Sequence, residues 1–218
     1  MESAPRQPVP VFPLSGAVLF PAAVLPLHVF ELRYRAMVRD ALSGERLIAL
    51  ALLKPGWERD DYPSPGFFPV GCLARCEEVE WLPDDCYDLK VLGLSRVRFE
   101  RVMREYPYRT ARVSLMPQEP FSEDDPLVEL ERRALIEAYA RVAKRMAPES
   151  KGAGAPAPES RFEPLVNSIC MALAAGADAK LALLEMDSIV ERSRRVREML
   201  ESWLRRPAEG HSSGGERN

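Results

Sequence analysis

The chain has 218 residues, 46% of them hydrophobic, enough to bury one or two ordinary cores without disulfide or metal staples. Net charge is −3 and evenly spread: residues 1–120 hold 15 Lys+Arg against 16 Asp+Glu, and residues 121–218 hold 15 against 17. Neither half carries the positive field that nucleic-acid binding needs, and no run of about 18 apolar residues occurs that would span a membrane.

The opening Met1–Pro8 has no basic stretch followed by an apolar one, so no secretory signal is expected and a cytoplasmic location is. Pro10, Pro13, Pro21 and Pro26 exclude a helix before about residue 27, because proline fixes φ and lacks a donor. Aliphatic and aromatic residues between them still demand burial. The reading is a short strand, a tight turn at Ser15-Gly16 and a second extended segment. A helix then covers Leu27–Leu42, with Leu27, Phe30, Tyr34, Met37, Val38 and Ala41 on its apolar face. Part of Phe20, Pro21, Pro26, Leu27, Phe30 and Tyr34 should enter the core, Phe30 included, and part should line a groove beside this helix.

Leu47–Leu53 is a continuous apolar run closed by Pro55-Gly56, which suits a buried strand. Phe67–Val79 follows a Pro/Gly-rich loop and reads as another strand. Leu82-Pro83-Asp84-Asp85 is a turn. Asp88–Leu94 and Arg96–Glu105 alternate, with Val97 and Phe99 on one side and Arg96 and Arg98 on a solvated face. Tyr108–Met116 supplies one more strand. The pattern across residues 9–120 predicts a small, partly open β-barrel.

Composition changes at Pro117–Pro126. Ser122 with Glu123, Asp124, Asp125 and Pro126 opens a helix that runs to about Met146. Its expected apolar face is Leu127, Leu130, Ala134, Leu135, Ala138, Val142 and Met146. Pro148–Ser160 reads as a mobile, low-complexity loop. Ser160-x-x-Glu163 is a capping box for a second helix to about Ala175, Ala177–Leu184 is a third, and Ser188-x-x-Glu191 opens a last one ending near Arg206-Pro207. Residues 207–218 read as disordered.

Pro10-Val11-Phe12-Pro13-Leu14, Phe20-Pro21, Pro26-Leu27-His28-Val29-Phe30-Glu31 and Arg33-Tyr34 match in order and spacing the start of a known domain. They resemble the opening of the Lon protease amino-terminal, or LON substrate-binding, domain. Val70-Gly71, Leu82-Pro83-Asp84 and Leu89–Gly93 leading into Arg96–Phe99 continue the match, and Lys180, Leu184, Glu185 and Asp187 follow it loosely. Asp85 departs from the family's usual glycine, which bears on the turn type, and Arg192-Ser193 replaces an arginine-leucine pair. The resemblance covers roughly residues 9–206. It implies an α+β fold: a β-rich, PUA-like pseudobarrel with one helix over 9–120, then a carboxy-terminal helical bundle over 121–206. It also implies a stand-alone form of a domain that contacts unfolded or tagged polypeptides and contributes to oligomer assembly.

Tests for chemistry mostly fail on the sequence. There are two histidines, His28 at the expected helix start and His211 in the tail, and neither has a nucleophile partner in its context. No Gly-x-x-x-x-Gly-Lys-[Ser/Thr] loop occurs, and the ATPase and Ser-Lys protease modules of Lon proteases lie beyond such a domain. Cys72, Cys76, Cys86 and Cys170 match no zinc spacing and read as reduced thiols filling apolar positions. The carboxylate runs Asp60-Asp61, Glu77-Glu78-Glu80 and Asp84-Asp85-Asp88 read as solvated faces. Arg96, Arg98, Arg101, Arg104, Arg109 and Arg112 interleave with acids and lack stacking aromatics, which disfavours RNA.

The expectation is a non-catalytic protein without catalytic residues, cofactor or metal. It recognises unfolded or apolar polypeptide as an adaptor or holdase, and possible partners include a second copy of itself. Candidate contact residues are Phe20, Pro21, Pro26, Leu27, Trp57, Tyr62, Phe67 and Phe68. The alternative is a PUA-like sensor of a small ligand or RNA.

Overall fold

The computed structural model describes residues 5, 7–56, 66–146 and 160–205. The expected loop at 148–160, apart from Ser160, and the expected tail at 207–218 lie outside them. In chain order the elements are β1 (Val9–Leu14), β2 (Val24–Val29), α1 (Leu32–Leu42), β3 (Leu47–Leu53), β4 (Phe67–Trp81), β5 (Tyr87–Arg104) and β6 (Thr110–Leu115). Four helices follow: α2 (Pro126–Met146), α3 (Phe162–Ala172), α4 (Ala177–Glu185) and α5 (Ile189–Arg205).

The strands form one sheet in the order β2-β5-β4-β3-β1-β6, and the second half of β5 also pairs with β6, so the sheet closes on itself. β2 is left outside the ring, paired to the first half of β5. Among the described strands only β1 and β3 run parallel, joined through β2 and α1. Inside the ring sit small apolar side chains from alternate positions, among them Val9, Val11, Ala49, Ala51, Val97 and Ala111. The outer face of β3, with Ile48, Leu50 and Leu52, joins α1 and the carboxy-terminal helices in one continuous core. β3 is therefore covered on both faces, which is why its sequence is an unbroken apolar run.

Two glycines permit the closest approaches. A Cβ at Gly71 would lie 2.2 Å from Leu50 O and 2.7 Å from the Phe99 ring; one at Gly93 would lie 2.2 Å from Phe20 O. Asp85, at the expected turn, holds φ at +62°, a left-handed conformation that glycine adopts freely and that Asp tolerates better than most.

Expectations need correction in four places, the first being the start of α1. Leu27 belongs to β2, opposite Leu89, and α1 opens only at Leu32 with extended Glu31 as its N-cap. His28 is accordingly a strand residue, its Nδ1 2.6 Å from Asp88 Oδ1. Phe30, between strand and helix, is 63% exposed and outside the core. On α2 the buried stripe is Val128, Glu131, Leu135, Ala138 and Val142, while Leu127, Leu130 and Met146 face outward. Leu135, Ala138 and Val142 are buried as expected, but in the first turns the stripe shifts by one residue, with Val128 and Glu131 inside in place of Leu127 and Leu130. Glu131 is buried against Ser193 Oγ at 3.2 Å and Arg197 Nε at 3.1 Å.

The third correction concerns α3: Ser160 and Glu163 form no capping box there. Arg161 is the N-cap without a side-chain bond, and the Phe162 N–H instead donates to the Glu123 carboxylate at 3.0 and 3.1 Å. At α5 the Glu191 N–H does lie 3.4 Å from Ser188 Oγ. The fourth concerns Arg96, which is not solvated. It is 3% exposed and donates to Leu184 O, Met186 O, Pro117 O and Asp187 Oδ1 at 2.7–3.1 Å. A bulge at Leu94, between the pairs Leu73–Ser95 and Ala74–Gly93, shifts the alternation so that Arg96 points beneath the end of α4. Helix carboxy-terminal carbonyls lack intrahelical partners, and a guanidinium satisfies several at once. Arg192 uses the same device, reaching Leu183 O, Met186 O and Asn167 Oδ1. Burial lowers its pKa to about 10, so it remains charged at neutral pH.

Candidate binding cleft

β1 and β6 pair at Val9–Ala111 and Pro10–Thr110, and the Val11 N–H still reaches Arg109 O at 2.8 Å. Continued in register, the ladder would set Pro13 opposite Pro107. Neither has an N–H, so the ladder cannot continue and the two segments part. The gap is a cleft of about 1040 Å³ between β1, the His28–Tyr34 segment and the Glu105–Arg109 connection.

Its base is apolar. Phe12 and Tyr34 pack with ring centroids 4.7 Å apart, beside buried Val29. Three large side chains on its walls are held out in solvent: Phe30 at 63% exposure, Leu32 at 75% and Tyr106 at 85%. The charges nearby compensate one another. Arg33 pairs with Glu31 at 2.8 Å and lies over the Tyr34 ring, while Arg109 pairs with Glu105 at 3.2 Å. Burial is the main cause of the raised pKa values of Tyr34 and Tyr108, and the Tyr108 hydroxyl donates to Asp40. Both phenols stay neutral at physiological pH, leaving a cleft with apolar walls and little net charge.

The expected contact residues do not converge here. Phe20 is fully buried and Pro21 is buried with it, so neither meets solvent: the Phe20 carbonyl packs directly on Gly93. Pro26 and Leu27 line a separate groove on the β2–β5 surface, with Val79 and Lys90. Phe67 stacks edge-on against Phe99 at 4.9 Å, and Phe68 is half-buried against the main core. Trp57 and Tyr62 lie outside the described residues. Phe30 and Tyr34 do line the groove beside the first helix. Leu32 and Tyr106 stand outside the expected set. Tyr106 carried a signal in its position, an aromatic next to proline between two strands; Leu32, between Glu31 and Arg33, carried none.

Elsewhere the chemistry is quiet. Cys72, Cys76, Cys86 and Cys170 are free and buried, as expected of thiols in apolar positions. Burial pushes the Cys72 and Cys170 thiols up to about 12 and Cys76 to about 11. Among the described residues no three His, Cys, Asp or Glu side chains lie close enough to hold a metal ion, and no helix is long and apolar enough to cross a membrane.

The family model described as the ATP-dependent protease La (LON) substrate-binding domain matches residues 8–202. The chain belongs to this family. It is 29% identical over 197 residues to Lon protease 2 of Myxococcus xanthus, covering 89% of this chain and 23% of that protein. It is 30% identical over 190 residues to Lon protease 2 of Herpetosiphon aurantiacus, covering 86% of this chain and again 23% of the relative. The LON domain thus spans about a quarter of the length of these curated relatives. Among solved structures, the N-terminal domain of Mycobacterium avium complex Lon protease aligns over 89% of this chain and 98% of its own, with TM-score 0.65 and 19% identity. A Lon N-terminal domain protein from Xanthomonas campestris aligns over 90% of this chain and 98% of its own, with TM-score 0.61 and 25% identity. The fold is that of Lon N-terminal domains, a β-rich sheet with helices, and the matched family is a substrate-binding one rather than a catalytic one.

Proposed function

We propose that this LON domain recognises exposed apolar segments of unfolded or partly folded polypeptides in the cleft, as an adaptor or holdase and not as an enzyme. One observation carries the reading: Phe30, Leu32 and Tyr106, three of the most exposed large apolar side chains, line the same cleft. Exposed apolar side chains that converge are costly for a soluble surface and typical of recognition sites. The paired charges around them favour a neutral, apolar occupant over a charged one. Pro26 and Leu27 lie in the separate groove on the β2–β5 surface, among Glu78, Glu80, Asp88 and Lys90, and are not part of the proposed site. A cytoplasmic setting, self-association and likeness of the closed sheet to PUA folds belong to the same proposal.

The RNA reading draws on Arg98, Arg101 and Arg112, exposed on β5 and β6, with Arg101 paired directly across from Arg112. Against it, Arg96 is buried and Arg109 lies against Glu105. Salt separates the two readings. Apolar burial is not screened, whereas phosphate binding loses orders of magnitude between about 50 and 200 mM salt. Capture of reduced, carboxymethylated α-lactalbumin, followed by fluorescence anisotropy, should persist across that range and resist competition by RNA. Collapse of binding with salt, together with displacement by RNA, would favour the nucleic-acid reading.

A further inference from the structure

We propose that the cleft reads the side chains of its client and does not add the client as a further strand. The two strand edges that border the cleft and its approach, on β1 and β2, each carry a proline where a strand-adding peptide would need a donor. On β1, the Val11 N–H donates to Arg109 O, so Val9, Val11 and Pro13 turn their backbone groups away from β3: those of Val9 and Val11 meet β6, and those of Pro13 face the cleft. Beyond Val11 the next outward position is Pro13, which offers a carbonyl and no N–H.

β2 has the same character. The Gly93 N–H donates to Ala23 O, and the register sets Val24 opposite Leu92 and Pro26 opposite Lys90. Leu25, Leu27 and Val29 therefore direct their backbone groups to β5, and Val24, Pro26 and His28 direct theirs to the open edge. Pro26, at the centre of that edge, again has no N–H. Strand addition draws its affinity from consecutive main-chain bonds, and proline at an outward position interrupts the row. The apolar anchors Phe30, Leu32 and Tyr106 remain, reading residues whose side chains enter the cleft whatever their backbone does. The occupant is an apolar polypeptide segment of neutral charge, matched to walls whose ion pairs are already internal.

This inference rests on the polypeptide-binding reading above, and its test separates the two. The probe is a short fluorescein-labelled peptide in which leucine and phenylalanine alternate with serine. Two further versions are N-methylated at the odd or at the even positions, because a ladder uses one parity of the client's N–H groups. Both methylated peptides should bind within about twofold of the parent. A loss of about tenfold or more in either one, with the parent still binding, would overturn side-chain reading and leave the polypeptide function standing. Failure of the parent peptide to bind would overturn that function and this inference with it.

Discussion

Phe20 and Phe30 share a ring and little else. Phe20 is fully buried while Phe30 is 63% exposed, so the same substitution should cost very different amounts. Phe20→Ala should lower stability by about 3–5 kcal/mol, and Phe30→Ala should stay within about 0.5 kcal/mol, both read from urea unfolding. Equal losses would contradict the placement of the two rings. The cysteines make a second residue-scale prediction. In the folded chain the Cys72 and Cys170 thiols titrate near 12 and Cys76 near 11, against an ordinary value of 9.0. Folding therefore retains protons that the unfolded chain loses. The stability linked to these thiols is whole below about pH 9 and falls as pH rises towards their folded values. Lys180, lowered by burial, works in the opposite sense. The urea midpoint should drop above pH 9, and Ellman's reagent should label the native protein only as fast as it opens. Immediate labelling of all four thiols would refute their burial.

Among the elements, the join between β5 and the end of α4 depends on Arg96. Its guanidinium satisfies three carbonyls and the Asp187 carboxylate, none of which methionine can replace. Arg96→Met should cost about 3 kcal/mol, because buried acceptors are left without donors. A loss under about 0.5 kcal/mol, the range of ordinary surface sites, would show that the join does not need it. Arg96 also shows where sequence reading stops. β1, β4 and β6, the turn at Leu82–Asp85 and the extents of β3 and α5 were legible because apolar runs, turn residues and capping serines act locally. Features decided by distant contacts were not. Arg96 reads as a surface residue until the bulge and α4 cover it. Glu131, outside the expected apolar face, is buried against Ser193 and Arg197, and Glu123 replaces a cap that the local pattern assigned to Ser160. The start of α1 was misread because Pro26 and Leu27 fit a helix's first turn as well as an edge strand, and pairing with Lys90 and Leu89 decided between them.

For the whole molecule, the cleft exists because one strand pair cannot continue past two prolines. Pro13 and Pro107 are visible in the sequence, but their juxtaposition follows only from the register of β1 and β6. The site was therefore legible in part: a groove beside the first helix was expected, while the residues exposed in it were misassigned to the core or passed over. The balanced charge of the chain and the internal ion pairs of the cleft agree with apolar contact as the means of the proposed recognition. The most direct test compares the wild type with a Leu32→Ser, Tyr106→Ser double variant, measuring affinity for carboxymethylated α-lactalbumin alongside the urea midpoint. Both positions are exposed, so the midpoint should hold while affinity falls about tenfold or more. Unchanged affinity in a stably folded double variant would contradict the assignment of the cleft as the polypeptide-binding site.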